Sequence, residues 1–217
     1  MPEHILEKLF DSAAKVRLLK LFLRNQGEAF SMRDIVARTQ MNQSTIRKPL
    51  EQLHEIGCLR TFTRRAPVAK VKNSKKGGAK LSHKKSPVLR EHVFILNPYF
   101  VFYDEIRNLI FKSSPASKNW MAERLKKIGQ VKLAVLSGLF VRAERENMHT
   151  DLLVIGDDMS TKRMENFIRA LEAEVGTRLN YTVLSSEEYA YRMKMFDRFA
   201  LDIMEGPHEK IINKLKA

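Results

Sequence analysis

Cysteine and long apolar runs are scarce in this sequence of 217 residues. The single cysteine, Cys58, has no second thiol with which to form an internal disulfide, and its apolar neighbours favour burial as a small hydrophobe. The apolar runs at residues 131–136 and 152–155 are far shorter than the ~20 residues that span a bilayer. The first ten residues lack the basic start and apolar stretch of a secretory signal. We therefore expect a cytoplasmic protein that does not enter a membrane.

Acidic residues are missing from residues 64–90, which contain ten lysines and arginines. Residues 1–97 contain 20 Lys and Arg against 8 Asp and Glu, whereas residues 98–217 contain 19 against 17. Nearly all of the net charge of +14 therefore belongs to the first part of the chain. A charge concentrated in this way predicts a polyanionic partner for that part. A solvated, disordered basic loop is the alternative for the segment taken alone.

Helical periodicity and capping residues predict three helices before the basic segment. The first covers residues 13–25. The second starts at a capping pattern made by Ser31 and Asp34, and the third covers residues 42–56. A turn at residues 39–41 joins the last two in the manner of a helix-turn-helix, whose second helix meets the major groove of DNA.

The third of these helices has an apolar and a polar face. Ile46, Leu50 and Leu53 recur at helical spacing and should be buried. Pro49 lacks the N–H of a helix interior and predicts a bend. The polar residues of the N-terminal half point outward and are candidates for contacts with base edges and phosphates: Gln43, Ser44, Thr45, Arg47 and Lys48. Ordinary solvated helix residues would show the same pattern.

Two strands, at residues 58–65 and 91–97, are predicted to form a hairpin on either side of the basic segment. With the preceding helices, the chain over residues 5–97 resembles the winged helix-turn-helix of arsenical-repressor-like transcription regulators. The resemblance implies a long wing that lies on the DNA backbone or in the minor groove. It also implies that the cations of this wing contact phosphates and supply affinity rather than sequence choice. These cations are Arg64, Arg65, Lys70, Lys72, Lys75, Lys76, Lys80, Lys84, Lys85 and Arg90.

A connecting helix and linker are expected at residues 98–117, between a first domain at 1–97 and a second at 118–217. Asn97 and Pro98 suit the N-cap and first position of this helix, and residues 113–115 break its pattern. Its apolar face suits either a homodimer on a palindromic operator or packing within the monomer. The sequence favours neither use.

Helices and strands alternate in the second domain, which predicts an α/β domain with a small mixed sheet and an α+β two-domain class for the whole chain. The expected order is helix 118–128, strand 131–140, strand 151–155, helix 160–175, strand 180–184 and helix 187–204. Residues 136–144 and 149–154 resemble the signature of minimal nucleotidyltransferases, over a region of about 118–206. In that family a Gly-Ser turn holds nucleotide phosphates, and an Asp-x-Asp pair binds two divalent ions.

Matched residue by residue, this signature is degenerate. Gly138 keeps the turn glycine, but Leu139 occupies the serine position. Arg142 still fits the pattern, whereas His149 replaces the first aspartate and Asp151 alone retains the second. One carboxylate cannot hold two Mg²⁺ ions, so the resemblance implies an inactive domain without a cofactor. A single transition metal on His149 and Asp151 is an alternative.

The leading hypothesis is therefore a transcription regulator that binds double-stranded DNA. Its second domain would serve sensing, dimerisation or docking of a small-molecule or protein ligand. The enzyme alternative is an active, magnesium-dependent nucleotidyltransferase of antitoxin type that modifies protein or RNA. It requires Asp151 and a second carboxylate from Glu144, Glu146 or Asp157. RNA binding is a third class, because lysines do not distinguish DNA phosphates from RNA phosphates.

Overall fold

The computed structural model describes residues 5–66, 89–113, 116–141 and 150–215. Over these ranges the chain is a mixed α and β protein with one sheet of three strands and one of four. One cluster of buried apolar residues is drawn from residues 6–110, and two further clusters are drawn from the rest of the chain. None of the described helices is long and apolar enough to cross a bilayer.

The first part of the chain packs five helices against a small sheet. Ser12 accepts a hydrogen bond from the Lys15 amide at the start of α2, and Ser31 forms a reciprocal capping box with Asp34 at the start of α3. These caps confirm the predicted helix starts. The elements are α1 (Ile5–Leu9), α2 (Ala13–Arg24), β1 (Phe30–Ser31), α3 (Met32–Thr39), α4 (Gln43–Glu55), β2 (Leu59–Ala66), β3 (Leu89–Leu96) and α5 (Tyr103–Lys112).

The first sheet has the strand order β1-β3-β2 and is antiparallel throughout. Pairing of β2 with β3 confirms the predicted hairpin, whereas β1 is too short to have been recognised from its sequence. Ile46, Leu50 and Leu53 anchor α4 in the core under this sheet. The helix continues through Pro49 without interruption.

The second part of the chain forms a mixed sheet with the strand order β6-β5-β4-β7. Strands β5 and β6 are parallel and are connected through α7, while the other neighbours are antiparallel. A small mixed sheet was predicted for this region and is confirmed. The elements are α6 (Lys118–Leu125), β4 (Gln130–Leu136), a 3₁₀ turn (Gly138–Phe140), β5 (Leu152–Asp157), α7 (Thr161–Val175), β6 (Tyr181–Leu184), α8 (Ser186–Lys194), α9 (Arg198–Glu205) and β7 (Glu209–Asn213).

Both faces of this sheet are covered, which explains the nearly continuous apolar runs of its central strands. Ala134 and Val154 pack on one side with residues of α6 and α7. Val135 and Leu153 pack on the other side with Ile203 of α9. The strands are therefore central elements of a layered unit.

Two predicted elements in this region have wrong boundaries, and one strand was not predicted. The strand expected at 131–140 ends at Leu136, because Gly138 adopts a left-handed φ of 49° and turns the chain. The helix expected at 187–204 is broken into α8 and α9 at Phe196, whose φ is 52°, and Asp197 caps α9. The tail after residue 205, for which no element was expected, contributes β7 to the sheet.

The connecting helix begins later than predicted. Asn97 does not cap it: its side chain accepts from the Tyr99 amide and donates to the Gly57 carbonyl. These bonds form a local turn, so that α5 starts only at Tyr103, after Phe102. Asn97 therefore ties the end of β3 to the end of α4.

Helix α2 joins the two parts of the molecule by packing on the C-terminal end of α7. The Arg17 guanidinium pairs with the Glu174 carboxylate at 2.5 Å, and the Lys20 ammonium donates to the Glu174 carbonyl at 3.1 Å. The Asn25 amide donates to the Gly176 carbonyl at 2.7 Å. These donors satisfy carbonyls that a helix C-terminus leaves without internal partners, and the cations complement its negative dipole end.

Candidate functional site

The N-terminal half of α4 presents a run of exposed polar residues on the first part of the chain. A turn at residues 40–42 separates α3 from α4, and Gln40 there adopts a left-handed conformation with its amide bonded to the Val36 carbonyl. Asn42 begins α4 without a side-chain cap. The Thr45 and Ile46 amides donate to the Asn42 carbonyl, whereas the two amides before them precede the helical hydrogen-bond pattern and suit water or an anion.

All five residues predicted to contact DNA from this helix are solvent-exposed, while Ile46, which lies between them in the sequence, is buried. Arg47 has a side chain 72% exposed and forms an ion pair with Glu51 one turn later, at 3.2 Å. Such exposed pairs contribute little to stability, so the guanidinium can exchange this partner for another anion at low free-energy cost. The exposed residues are Gln43, Ser44, Thr45, Arg47 and Lys48.

The described cations of the hairpin divide into two kinds. Arg64 bonds weakly to Asp34 at 3.4 Å and to Glu91 at 3.5 Å, which links the hairpin to the start of α3. Arg65 lies directly opposite Arg90 in the register of β2 and β3, and both are exposed. Seven of the predicted wing residues lie outside the described residues: Lys70, Lys72, Lys75, Lys76, Lys80, Lys84 and Lys85.

In the second part of the chain, the Asp151 carboxylate is 3% exposed and accepts backbone hydrogen bonds from two segments. The Leu139 amide donates to Oδ1 at 3.0 Å, and the Asn180 amide donates to Oδ2 at 3.0 Å. A Cβ at Gly138 would lie 2.6 Å from Oδ1, so only glycine permits this approach. Asp151 therefore fixes the Gly138 turn to the start of β6.

This geometry does not fit the two-ion site that the nucleotidyltransferase resemblance implies. Both Asp151 oxygens already accept hydrogen bonds from backbone amides, and the residue is only 3% exposed. Asp157 ends β5, so it lies ~20 Å from Asp151 at ~3.3 Å per strand residue. Among the described residues there is no group of three His, Cys, Asp or Glu that could hold a metal ion.

Asp157 has a structural role of its own. Its carboxylate accepts from the Lys132 ammonium at 2.7 Å and from the Ser186 amide at 3.0 Å and hydroxyl at 2.8 Å. The Lys132 and Ser186 hydrogen bonds lower the pKa of Asp157 to about 2. It joins β4 to the start of α8 and is therefore not the second carboxylate of the enzyme hypothesis.

The nucleotidyltransferase hypotheses name four further residues of the second domain. Arg142, Glu144, Glu146 and His149 lie outside the described residues. Within the described part of the signature, Asp151 therefore holds two backbone segments together through the Leu139 and Asn180 amides.

No protein-family model, curated protein or solved structure gives a significant match to this chain.

No local sequence pattern indicates the contact between α2 and α7. Lys20 is only 7% exposed, and burial lowers its pKa, with the charges of Arg24 and Arg17 acting in the same direction. A lysine inside the apolar run of α2 was the one local indication that this helix contacts a buried polar partner. That signal did not identify the partner, because Glu174 lies more than 150 residues further along the chain.

Proposed function

We propose that this chain is a regulator that binds double-stranded DNA through α4 and the β2–β3 hairpin, as a winged helix-turn-helix protein. The observation that carries the proposal is the division of α4. Its apolar residues are anchored in the core, and five polar residues of its N-terminal half face solvent. A helix held in this way can enter a major groove as a rigid body, with Arg47 available for the guanine edge.

The hairpin supports the same proposal. Like charges directly opposite each other on a sheet destabilise it, and Arg65 and Arg90 are such a pair. A polyanion on this face would convert the repulsion into two favourable phosphate contacts. The sequence between β2 and β3 adds further cations and no Asp or Glu.

We infer further that the second part is a nucleotidyltransferase-like domain without catalytic activity, which serves sensing or docking. Its support is the use of Asp151 as a backbone clamp. No step of nucleotide transfer is assigned to it, because the described residues do not form the ion site which that chemistry requires.

A homodimer on a palindromic site is part of the proposal. Tyr99, Val101 and Phe102 precede α5 and are 85%, 83% and 59% exposed, which is unusual for neighbouring large apolar residues. A second copy packed on this segment would bury them and would give the DNA two copies of α4. A palindromic consensus in the selected DNA would show this two-fold symmetry.

The test is selection from a random duplex library with the whole protein and with Arg47→Ala. We expect a palindromic consensus for the wild type. Loss of a bidentate base contact should weaken binding by about 1–3 kcal/mol and relax the consensus at one position per half-site. Arg65→Ala together with Arg90→Ala should instead weaken binding to all duplexes and reduce the salt slope by about 2.

Arg198→Ala is the matched control, because Arg198 is also exposed and also faces an acidic residue one turn later, Asp202. It should leave the consensus unchanged. Enrichment without any sequence preference, or the same consensus with Arg47→Ala, would overturn recognition through α4. Preferential competition by single-stranded RNA would show that RNA is the ligand instead.

A further inference from the structure

The C-terminal ends of α3 and α7 meet beside α2, where the two parts of the molecule join. Each helix is followed by a residue in the left-handed conformation, Gln40 after α3 with a φ of 53° and Gly176 after α7 with a φ of 88°. These two residues line the same small cavity, whose volume is about 50 Å³. The last carbonyls of a helix have no partner within it and carry the negative end of its dipole, so a cation placed there suits both helices.

Arg17 of α2 contacts both helix ends with one guanidinium. Its Nη1 donates to the Thr39 carbonyl at 3.2 Å, and its Nη2 donates to the Glu174 carboxylate at 2.5 Å. Thr39 is the last residue of α3, and Glu174 lies in the last turn of α7. A single side chain therefore links the turn after α3 to the second part of the chain.

The backbone that leads into α4 receives little support from its own side chains. Asn42 begins α4 without a side-chain hydrogen bond, whereas Ser12 and Ser31 cap α2 and α3. Thr39 precedes Asn42 by three residues, so a hydrogen bond to the Thr39 carbonyl restrains the chain close to the start of α4. Groups that contact a ligand must be held within about 0.5 Å of their productive position, which makes this restraint relevant to the exposed face of α4.

Glu174 keeps the Arg17 guanidinium in place. The guanidinium is always charged, and Arg17 Nε is buried with no hydrogen-bond partner among the described residues. Without the carboxylate, a charge only 28% exposed would lack its counterion, and movement of the side chain into water would lower its free energy. The Thr39 carbonyl would then lose its donor. Glu174 therefore acts on the turn through Arg17.

We propose that the second part of the chain positions the α3–α4 turn for DNA binding, with Arg17 and Glu174 as the positioning residues. The effect on DNA rests on the proposed function, whereas the restraint on the turn does not. If loss of the Glu174 charge leaves α4 correctly placed for about a tenth of the time, the apparent affinity for duplex DNA falls about tenfold, since only the competent fraction binds. The salt dependence stays the same, because no phosphate contact is lost.

The first experiment is amide hydrogen exchange without DNA, on the wild type and on Glu174→Gln, which removes the charge and keeps the shape. The amides of Gln40, Thr45 and Ile46 form hydrogen bonds at the turn, and we expect them to exchange about tenfold faster in the variant. Asn25→Ala is the matched control, because Asn25 donates to the Gly176 carbonyl at 2.7 Å in the same junction, about two turns of α2 after Arg17. It should leave exchange at the turn unchanged.

The second experiment measures affinity for duplex DNA at a temperature where every variant is folded. Glu174→Gln, Arg17→Gln and the double variant should each bind about tenfold more weakly with an unchanged salt slope, because all three remove the same link. Asn25→Ala should bind as the wild type does. A contact with a merely structural role would lower the Tm of these variants and leave the affinity of the folded protein unchanged.

Unchanged exchange at the turn in Glu174→Gln would overturn the positioning, and so would equal acceleration by Asn25→Ala. Wild-type affinity in Glu174→Gln and Arg17→Gln, or losses that add in the double variant, would overturn the effect on DNA. A wild type that binds no duplex, together with faster exchange in Glu174→Gln, would count against the proposed function alone.

Discussion

Asp151 shows how its neighbours decide what a carboxylate does. Its type and position resemble a metal ligand, but the two oxygens accept the amides of Leu139 and Asn180. Thr150 beside it is also buried, and its single hydroxyl hydrogen is shared between the Leu152 and Asn180 carbonyls, 3.1 and 3.0 Å away. These bonds hold three segments of backbone together at one end of the second sheet.

Replacing Asp151 should therefore destabilise the fold. Asp151→Ala leaves two amides without their acceptor and should lower the free energy of unfolding by about 2–5 kcal/mol, since each unsatisfied buried group costs about 1–3 kcal/mol. Asp151→Asn keeps one acceptor oxygen and should lower the free energy of unfolding by less than Asp151→Ala does. Urea unfolding followed by circular dichroism measures both. Asp104→Ala on the exposed face of α5 is the control, and equal stability of Asp151→Ala and this control would contradict the clamp.

Cys58 gives a pH-dependent prediction at the same scale. It is 2% exposed, and burial raises the pKa of its thiol from 9.0 to about 11. Below pH 9 the contribution of the neutral thiol to stability is complete, and it is lost as the pH rises towards 11, because the unfolded thiol ionises first. Between pH 7 and pH 10 the wild type should lose about 1 kcal/mol more free energy of unfolding than Cys58→Ala. Parallel losses in the two proteins would contradict this prediction.

Among the elements, α4 contains Pro49 in its second turn and remains continuous. Pro49 has no amide to donate to the Thr45 carbonyl, and Thr45 is exposed, so water can satisfy that oxygen. The sequence predicts a bend at Pro49, and the helix is continuous through this residue. The anchoring of Ile46, Leu50 and Leu53 in the core opposes any break in the helix.

Pro49→Ala should restore the missing hydrogen bond and raise the free energy of unfolding by about 1–3 kcal/mol, given a cost of ~3 kcal/mol for proline inside a helix. Chemical unfolding measures the change. Lys48→Ala, an exposed substitution in the same helix, should change stability little. A less stable Pro49→Ala protein would show that packing of the proline ring outweighs the hydrogen bond.

Boundaries that depend on distant elements could not be predicted. The stretch after Ser185 has helical spacing almost to residue 204, and it contains no glycine or proline to mark the break at Phe196. Strand β7 has few local signals, and it forms because β4 offers a free edge next to it. Predicted α5 began too early, because Asn97 bonds to Gly57 rather than to the helix.

At the scale of the whole molecule, one close approach joins the two parts. Gly176 has a φ of 88°, and a Cβ there would lie 2.6 Å from the Lys20 carbonyl carbon. Because that neighbour is backbone, it cannot move aside without displacing α2. The ion pair of Arg17 with Glu174 and the Lys20 hydrogen bond surround the same point.

Gly176→Ala should therefore separate the two parts. Gly27→Ala is the control: its φ is 80° and an added Cβ meets nothing within 4 Å, so it carries only the left-handed cost of about 1–2 kcal/mol. We expect Gly176→Ala to lose clearly more stability than Gly27→Ala and to be cleaved faster by protease between α5 and α6. Identical unfolding curves for the two variants would mean that the contact contributes nothing.

From the sequence alone, the mixed α and β class of the fold and many of its helices and strands could be inferred. Periodicity, capping residues and turn glycines predicted α2, α3, α4, α7 and the β2–β3 hairpin, because these signals act within one or two turns of the chain. The outward face of α4 followed from the same periodicity, and the five exposed candidates lie where the pattern placed them.

Only the tertiary structure decided what the second part does with its signature residues and how the two parts are joined. Asp151 acquires its role from amides 12 and 29 residues away, and Lys20 from a carbonyl 154 residues away. A residue type states which groups it can bond, but burial and the position of distant backbone determine which of them it meets. Those positions arise only when separate elements pack into one core.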